Sequence, residues 1–231
     1  MVTIDLAEFD AHKRIMRHLE HGPFILELPT VFSLVCLPNN TSIDQLNKIK
    51  IRGNNKNYGS LIGNLTNFYK LLLPEIIPPS FSGADELTKL TGAFIRGKIA
   101  EQTFNSSTVK NGTHQGLLLE GPIQDLSSAI EVNFREQSDT ALYNHRSYSA
   151  PICTSANLSG DPNGSITSLE KALEFAEHRN IELVVTINEK LKKHNRGSYP
   201  ILWFKENNIT IERSGPELSR FRSIIENIMQ Q

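Results

Sequence analysis

The stretch Ala150-Pro151-Ile152-Cys153-Thr154-Ser155-Ala156-Asn157-Leu158-Ser159-Gly160 passes from a short apolar run straight into hydroxyls, an amide and a glycine. An apolar run this short, bounded by turn residues, reads as a buried strand, and the residues after it have neither helical nor strand periodicity. A strand ending in such a turn sets donors, acceptors and bare backbone at the rim of a sheet, where open α/β sheets take their ligands. The composition suits an anionic or nucleotide ligand. In isolation, a polar turn closed by Asn and Ser bonding to their own backbone is the commoner origin of such a segment.

Outward from this strand, strand and helix patterns alternate. Upstream, a helix is expected from about Asp139 to His145, Ile130-Glu131-Val132-Asn133-Phe134 alternates as a strand does, and Leu117-Leu118-Leu119 is another short apolar run. Leu87, Leu90, Phe94 and Ile99 mark one face of a longer helix, followed by the polar, turn-rich Asn105 to His114, the pattern of a mobile loop. Further back, Tyr58 to Gly63 reads as a strand, Thr66 or Asn67 caps a short helix through Leu73, and Ser42-Ile43-Asp44-Gln45 has capping-box form. Val31 to Leu37 is a strand or a brief helix, Phe24-Ile25-Leu26 a strand, and Leu6 to Leu19 a first helix stopped by Gly22-Pro23.

Downstream, Thr167-Ser168-Leu169-Glu170 is a second capping box, with Leu169, Leu173 and Ala176 on one face of its helix, and Ile181 to Ile187 is a strand. Ile201-Leu202-Trp203-Phe204 and Ile209 to Arg213 form a hairpin about Asn207-Asn208, and Pro216 opens a closing helix. No repeat is visible. The alternation predicts one α/β domain over residues 1–231, a twisted mixed parallel and antiparallel sheet flanked by helices.

With 24 basic against 25 acidic side chains the net charge is −1, so no global electrostatic signature for nucleic acid or anionic membrane exists. Cys36 and Cys153 sit in apolar runs without metal-ligand spacing and are expected as buried thiols in a reducing compartment; no zinc or other protein-built metal site is expected. There is no leader pattern at Met1-Val2-Thr3-Ile4-Asp5 and no stretch near the roughly 20 apolar residues of a membrane span, so the expected location is the cytoplasm, with no membrane partner.

GxxxxGK[ST], GxSxG, HExxH and paired CxxC motifs are all missing. Four polar clusters beside apolar runs remain: Pro29-Thr30; Lys50-Ile51-Arg52 with Lys56; Thr154 to Gly160; and Arg213-Ser214-Gly215. Lys50 and Arg52 either satisfy carbonyls at a helix end or neutralise a triphosphate. Arg213 is of a type more often structural at a strand end. The basic run Lys190, Lys192, Lys193, His194 and Arg196 is most simply a solvated surface, although a phosphate-bearing partner could use it.

Taken in order, these clusters resemble the YrdC/Sua5 family of threonylcarbamoyl-AMP synthases. Thr154-Ser155-Ala156-Asn157-Leu158-Ser159-Gly160 matches the family's TSANxSG in full, and Lys50-Ile51-Arg52 matches its K-x-R, with Lys56 resembling the continuation. Val132-Asn133-Phe134-Arg135 looks like its V-x-V-R strand end, Arg213-Ser214-Gly215 like its late R-x-G, and Ser198 more loosely like the serine of S-T-V-V. Pro29-Thr30-Val31-Phe32-Ser33-Leu34 is two residues shorter than the family's P-T-[DE]-T/A-V-Y/F-G-L, with Ser33 in place of glycine. The family's W-P-G-P segment has no counterpart.

The resemblance implies that L-threonine, bicarbonate and ATP are joined into threonylcarbamoyl-AMP with release of pyrophosphate, for modification of tRNA through a downstream threonylcarbamoyl transferase. Lys50 and Arg52, with Mg2+, would hold the pyrophosphate. Lys56, Thr154, Ser155, Asn157, Arg135, Ser198 and Arg213 would contact the nucleotide, and Thr30 and Phe32 the threonine. The departures also fit a non-catalytic paralog that binds nucleotide or RNA, or a carbamoyl-adenylate enzyme with another acceptor, as in the related domain of hydrogenase maturation proteins.

Overall fold

A computed structural model describes residues 1–51 and 57–229. In chain order the elements are β1 (Val2–Asp5), α1 (Ala11–Leu19), β2 (Phe24–Glu27), β3 (Phe32–Cys36), α2 (Asn40–Lys50), β4 (Gly59–Ile62) and α3 (Leu65–Leu71). Two 3-10 stretches, Pro74–Ile76 and Ala84–Leu90, lead to β5 (Phe94–Lys98), β6 (Thr113–Leu118) and α4 (Pro122–Asn133). Short 3-10 turns at Arg135–Gln137 and Thr140–Tyr143 precede β7 (Ile152–Ser155), α5 (Leu169–His178) and β8 (Leu183–Thr186). After a last 3-10 turn, Glu189–Leu191, come β9 (Ile201–Lys205), β10 (Asn208–Arg213) and α6 (Leu218–Met229). The result is the expected α/β class, with mixed strand pairing and flanking helices.

The chain forms two compact units, each from two separate segments. The first comprises Met1–Lys56 and Pro151–Ser198. Its strands lie in the order β1-β8-β2-β3-β7, with β1, β8 and β2 mutually parallel and β3 antiparallel to both β2 and β7. Every residue of β2 and β3 is buried, so these strands read as unbroken apolar runs rather than alternating ones. α2 packs on β3 through Ile43 and Leu46. α5 lies against β8 and buries two small residues, Ala172 and Ala176; of the expected stripe Ala176 is buried and Leu169 is exposed. The β2–β3 hairpin closes through Pro29–Thr30 alone: Glu27 pairs with Phe32, and Leu28 N donates to Val31 O at 2.9 Å. That tight closure is the structural form of the shortened motif.

The second unit comprises Asn57–Ala150 and Tyr199–Gln231, with strand order β4-β6-β5-β9-β10. The β9–β10 turn is Glu206–Asn207, both left-handed (φ 53° and 62°), the backbone that a two-residue hairpin of right-handed twist requires. α4 presses so closely on the end of β4 that a Cβ at Gly63 would lie 2.3 Å from Ser128 N.

Several sequence expectations change here. Leu87 to Ile99 is not one helix: the 3-10 stretch ends before Gly92, whose φ of 90° suits glycine, and Phe94–Lys98 pairs with both β6 and β9. Ile130 to Phe134 is not a strand but the end of α4. Pro122 starts that helix, and Ile123, Leu126, Ser127, Ile130 and Glu131 bury its inner face at helical spacing while Val132 faces solvent. α2 is capped by Asn39, whose Oδ1 accepts from Ser42 N at 2.9 Å, three residues before the expected cap, and α3 by Asn64. Asn105 to His114 is pinned rather than loose: Ser106 and Thr108 hydroxyls donate to Leu142 O, and Asn57 Nδ2 donates to Ser106 O and Val109 O.

Candidate functional site

In the first unit β1, β8, β2 and β7 run one way, so Asp5, Thr186, Glu27 and Ser155 end at one sheet edge. Carboxyl edges of open α/β sheets are where ligands bind, because loops diverge there and leave backbone donors exposed. Three polar segments meet at this edge: the hairpin tip Pro29–Thr30, the turn Ser155 to Gly160, and the segment 188–198.

Pairing of β3 with β7 sets the first two side by side. Ser33 opposes Ser155, and Ala156 N donates to Phe32 O at 2.9 Å. Ser155 Oγ then donates to Asn157 Oδ1 at 2.5 Å, which orients the amide. Gly160 adopts φ 81°, and a Cβ there would meet nothing within 4 Å, so the turn is open on that side.

Lys50, the last residue of α2, is only 3% exposed. Its Nζ donates to Ser155 O and Asn157 O, each at 2.6 Å, and its own carbonyl accepts from Ser159 N at 3.2 Å. The ammonium is therefore a post around which the turn wraps. Of the two roles open to it in sequence, carbonyl satisfaction is the one seen, with the turn's carbonyls taking the place of its own helix's.

The third segment covers the hairpin tip. Lys193 N donates to Pro29 O (2.9 Å) and Gly197 N to Thr30 O (2.8 Å). Beneath it Glu27 is fully buried, pairing with Lys192 Nζ and Arg196 Nη2, both at 3.1 Å, and accepting from Ile187 N. Burial opposes charge on Lys192, but the Glu189 and Glu27 carboxylates outweigh it and hold the ammonium above its ordinary range. The Arg196 guanidinium carbon stands 5.6 Å from the centre of the Phe32 ring. Ser198 Oγ shares a hydrogen bond with Ser165 Oγ at 2.7 Å.

Among the described residues, three buried side-chain atoms at this edge have no hydrogen-bond partner: Thr30 Oγ1, Ser159 Oγ and Arg196 Nε. Native interiors satisfy nearly all such groups, so these orphans single out this edge as a candidate site. Among the described residues no group of three or more His, Cys, Asp and Glu is gathered to hold a metal. No described helix is long and apolar enough to cross a membrane. Cys36 and Cys153 are buried and form no disulfide on the paired strands β3 and β7, and burial together with Cys153 pushes the Cys36 thiol well up, away from reactive thiolate.

Of the residues singled out in sequence, Thr30, Phe32, Lys50, Thr154, Ser155, Asn157 and Ser198 belong to this unit. Arg52 and Lys56 lie outside the described residues. Arg135 and Arg213 belong to the second unit. Arg135 is not at a strand end; it follows α4, exposed, near Glu131. Arg213 does end a strand, and its Nε and Nη2 donate to Tyr199 O at 3.0 and 2.6 Å, the structural use of such an arginine. Glu27 and Arg196 were missed as site residues. The signal for Glu27 was a lone acid in the apolar run Phe24-Ile25-Leu26-Glu27-Leu28.

The second unit holds a serine–histidine arrangement of a different kind. His114 Nδ1 faces Thr108 O at 2.8 Å, so it carries the proton, and Nε2 accepts from Ser60 Oγ (3.1 Å), which in turn accepts from Tyr143 Oη (3.1 Å). Burial lowers the His114 pKa to about 4 against the pull of the Thr108 carbonyl. All three side chains are buried, so this network ties β4, β6 and the Thr140–Tyr143 turn together and offers no nucleophile to a substrate.

No protein-family model and no curated protein matches the chain by sequence. Solved structures match it by shape. Sua5 of P. abyssi, complexed with L-threonine, superposes with a TM-score of 0.69 at 17% identity, over 97% of this chain and 61% of that one. YciO of E. coli gives 0.61 at 13% identity over 95% and 97%. Full-length HypF in a phosphate- and nucleotide-bound form gives 0.58 at 16% identity, over 87% of this chain and 28% of its own. The chain thus spans about three fifths of the length of that Sua5. Mixed strand pairing, flanking helices and these superpositions together show that the chain has the YrdC/Sua5-like fold.

Proposed function

We propose that the protein joins L-threonine, bicarbonate and ATP into threonylcarbamoyl-AMP, releasing pyrophosphate. The observation that carries the reading is the set of orphaned polar atoms, Thr30 Oγ1, Ser159 Oγ and Arg196 Nε, beside the Ser155–Asn157 turn. The L-threonine complex of Sua5 and the nucleotide-bound HypF, which share the fold, support it. In this reading threonine's amine and bicarbonate condense to a carbamate with loss of water. A carbamate oxygen then attacks the α-phosphorus of ATP, and the bond to the departing pyrophosphate breaks.

The chain's own part is placement. The Thr30 hydroxyl meets the amino acid, Ser155 and Asn157 meet the nucleotide, and Lys50 keeps their turn in shape. Mg2+ would enter with ATP as MgATP, held mainly by the phosphates, as is common for this ion. Carried further, the product would serve a transferase acting on tRNA. The test is incubation of purified protein with ATP, L-threonine and labelled bicarbonate: threonine-dependent pyrophosphate release and a labelled adenylate are expected, and their absence overturns the reading.

One observation favours a second reading, a relative that binds nucleotide or RNA without turnover. Two cations assigned to phosphate in sequence, Lys50 and Arg213, spend hydrogen bonds on backbone carbonyls. Calorimetry separates the two readings. In the synthase, ATP and threonine raise each other's affinity by the same factor; in the binding-only relative, threonine leaves ATP affinity unchanged. RNA binding would in addition weaken steeply with salt.

A further inference from the structure

We infer that Arg196 reads the carboxylate of the amino-acid substrate, together with the Thr30 hydroxyl; this rests on the proposed activity. The basic run Lys190 to Arg196 is not a loose solvated tract. Its backbone is bonded along the hairpin tip by Lys193 N to Pro29 O and by Gly197 N to Thr30 O, which puts Arg196 next to the residue that contacts Thr30.

The guanidinium is held in a fixed attitude. Glu27, a fully buried carboxylate, takes Nη2 at 3.1 Å, and the Phe32 ring lies 5.6 Å from the guanidinium carbon. Lys192 shares Glu27 but also turns to the exposed Glu189 (2.6 Å), so it is held at the surface. What remains is the Nε–H of Arg196, screened from water and without an acceptor among the described residues. Thr30 is 2% exposed, and its Oγ1 also has no partner.

An N–H can only donate, and a buried hydroxyl can donate as well, so the pair calls for acceptor oxygens. A carboxylate supplies two, and a guanidinium whose Nη2 is already fixed by an acid holds its neighbouring Nε–H in one orientation, which suits charge-assisted recognition of one of those oxygens. A buried donor with nothing to bond is costly to leave, so a ligand lacking the carboxylate should be rejected rather than tolerated.

The experiment is calorimetry on the full chain in the presence of ATP, titrating L-threonine and L-threoninol, which lacks the carboxylate. The wild type should prefer L-threonine by ~100-fold, the scale of a lost charge-assisted hydrogen bond with its partner left buried. Arg196→Lys keeps a cation for Glu27 but has no Nε–H edge. It should melt within a few degrees of wild type and reduce the preference below ~10-fold. Thr30→Val, close to isosteric, should lower L-threonine affinity by ~10-fold and leave L-threoninol unchanged, and it serves if the arginine variant does not fold. Equal preference in the variants and the wild type overturns the role of Arg196 while the proposed activity stands. A variant that loses ATP affinity but keeps its preference for threonine assigns the cation to phosphate and overturns it too. A wild type that binds neither compound overturns the activity and this inference together.

Discussion

Lys50 illustrates how a residue can be singled out in sequence with two tasks open to it, of which the fold displays one. Its place in K-x-R suggested a cation facing phosphate. In the fold its Nζ bonds Ser155 O and Asn157 O from a position 3% exposed. Lys50→Met leaves two carbonyls of the turn without this donor, and losing a buried charge-assisted partner costs about 2–4 kcal/mol. Urea unfolding should show a loss of that size, with ligand binding falling as a consequence. Unchanged stability with lost ATP binding would return the ammonium to the ligand. Ser155 and Asn157 were readable as candidates because hydroxyl and amide follow directly on a short apolar run. Glu27 and Arg196 were not, because they are 169 positions apart, and only the fold shows that a lone acid and a basic run neutralise each other.

At the scale of elements, local pattern succeeded where one segment makes one element, as in β2, β3, the β9–β10 hairpin and α5, whose Ser168 does cap it. It failed where apolar spacing ran across a boundary, at Leu87 to Ile99, and where the last turn of α4 imitated alternation at Ile130 to Phe134. The second error hid a link between elements. Glu131, buried on α4, accepts from Gly63 N (2.8 Å) and Asn64 N (3.3 Å), joining the end of β4 to the start of α3. Burial raises its pKa from 4.5 to about 7, against those two N–H groups and Arg135, which lower it. Between these values the folded chain keeps a proton that the unfolded chain releases, so this carboxyl lowers stability as pH rises through the window, by on the order of 3 kcal/mol in all. Glu131→Gln does not titrate and keeps an acceptor oxygen. Relative to wild type it should gain stability from pH 5 to pH 8 and level off above. His114, with a pKa lowered to about 4, costs stability as pH falls from 6.5 toward 4, but it does so in both proteins and cancels. A difference between the two urea curves that stays constant from pH 5 to pH 8 would exclude the proton at Glu131.

Over the whole molecule, each unit is assembled from distant parts of the chain, which no local pattern can announce. In the first unit β8 lies between β1 and β2, so a strand near residue 185 separates two strands from the first 27 residues. β7, which carries the Ser155 turn, completes the other side of β3. In the second unit β5 needs β9 from the C-terminal segment. A chain ending at Ala150 keeps β1, β2 and β3 but has neither β8 nor β7. β1 is then left without its partner, and β2, whose four residues are all buried in the complete unit, is left open along one side. Its β5 likewise becomes an edge. Exposed apolar edges of this kind pair with other chains instead of folding cooperatively. The 1–150 fragment is expected to show no cooperative urea transition by far-UV circular dichroism and to be cleaved rapidly by protease, whereas the full chain unfolds cooperatively. A sharp transition in the fragment would mean that the first three strands find a stable arrangement without β8, and that this strand is an addition to the core of the first unit rather than the condition for it.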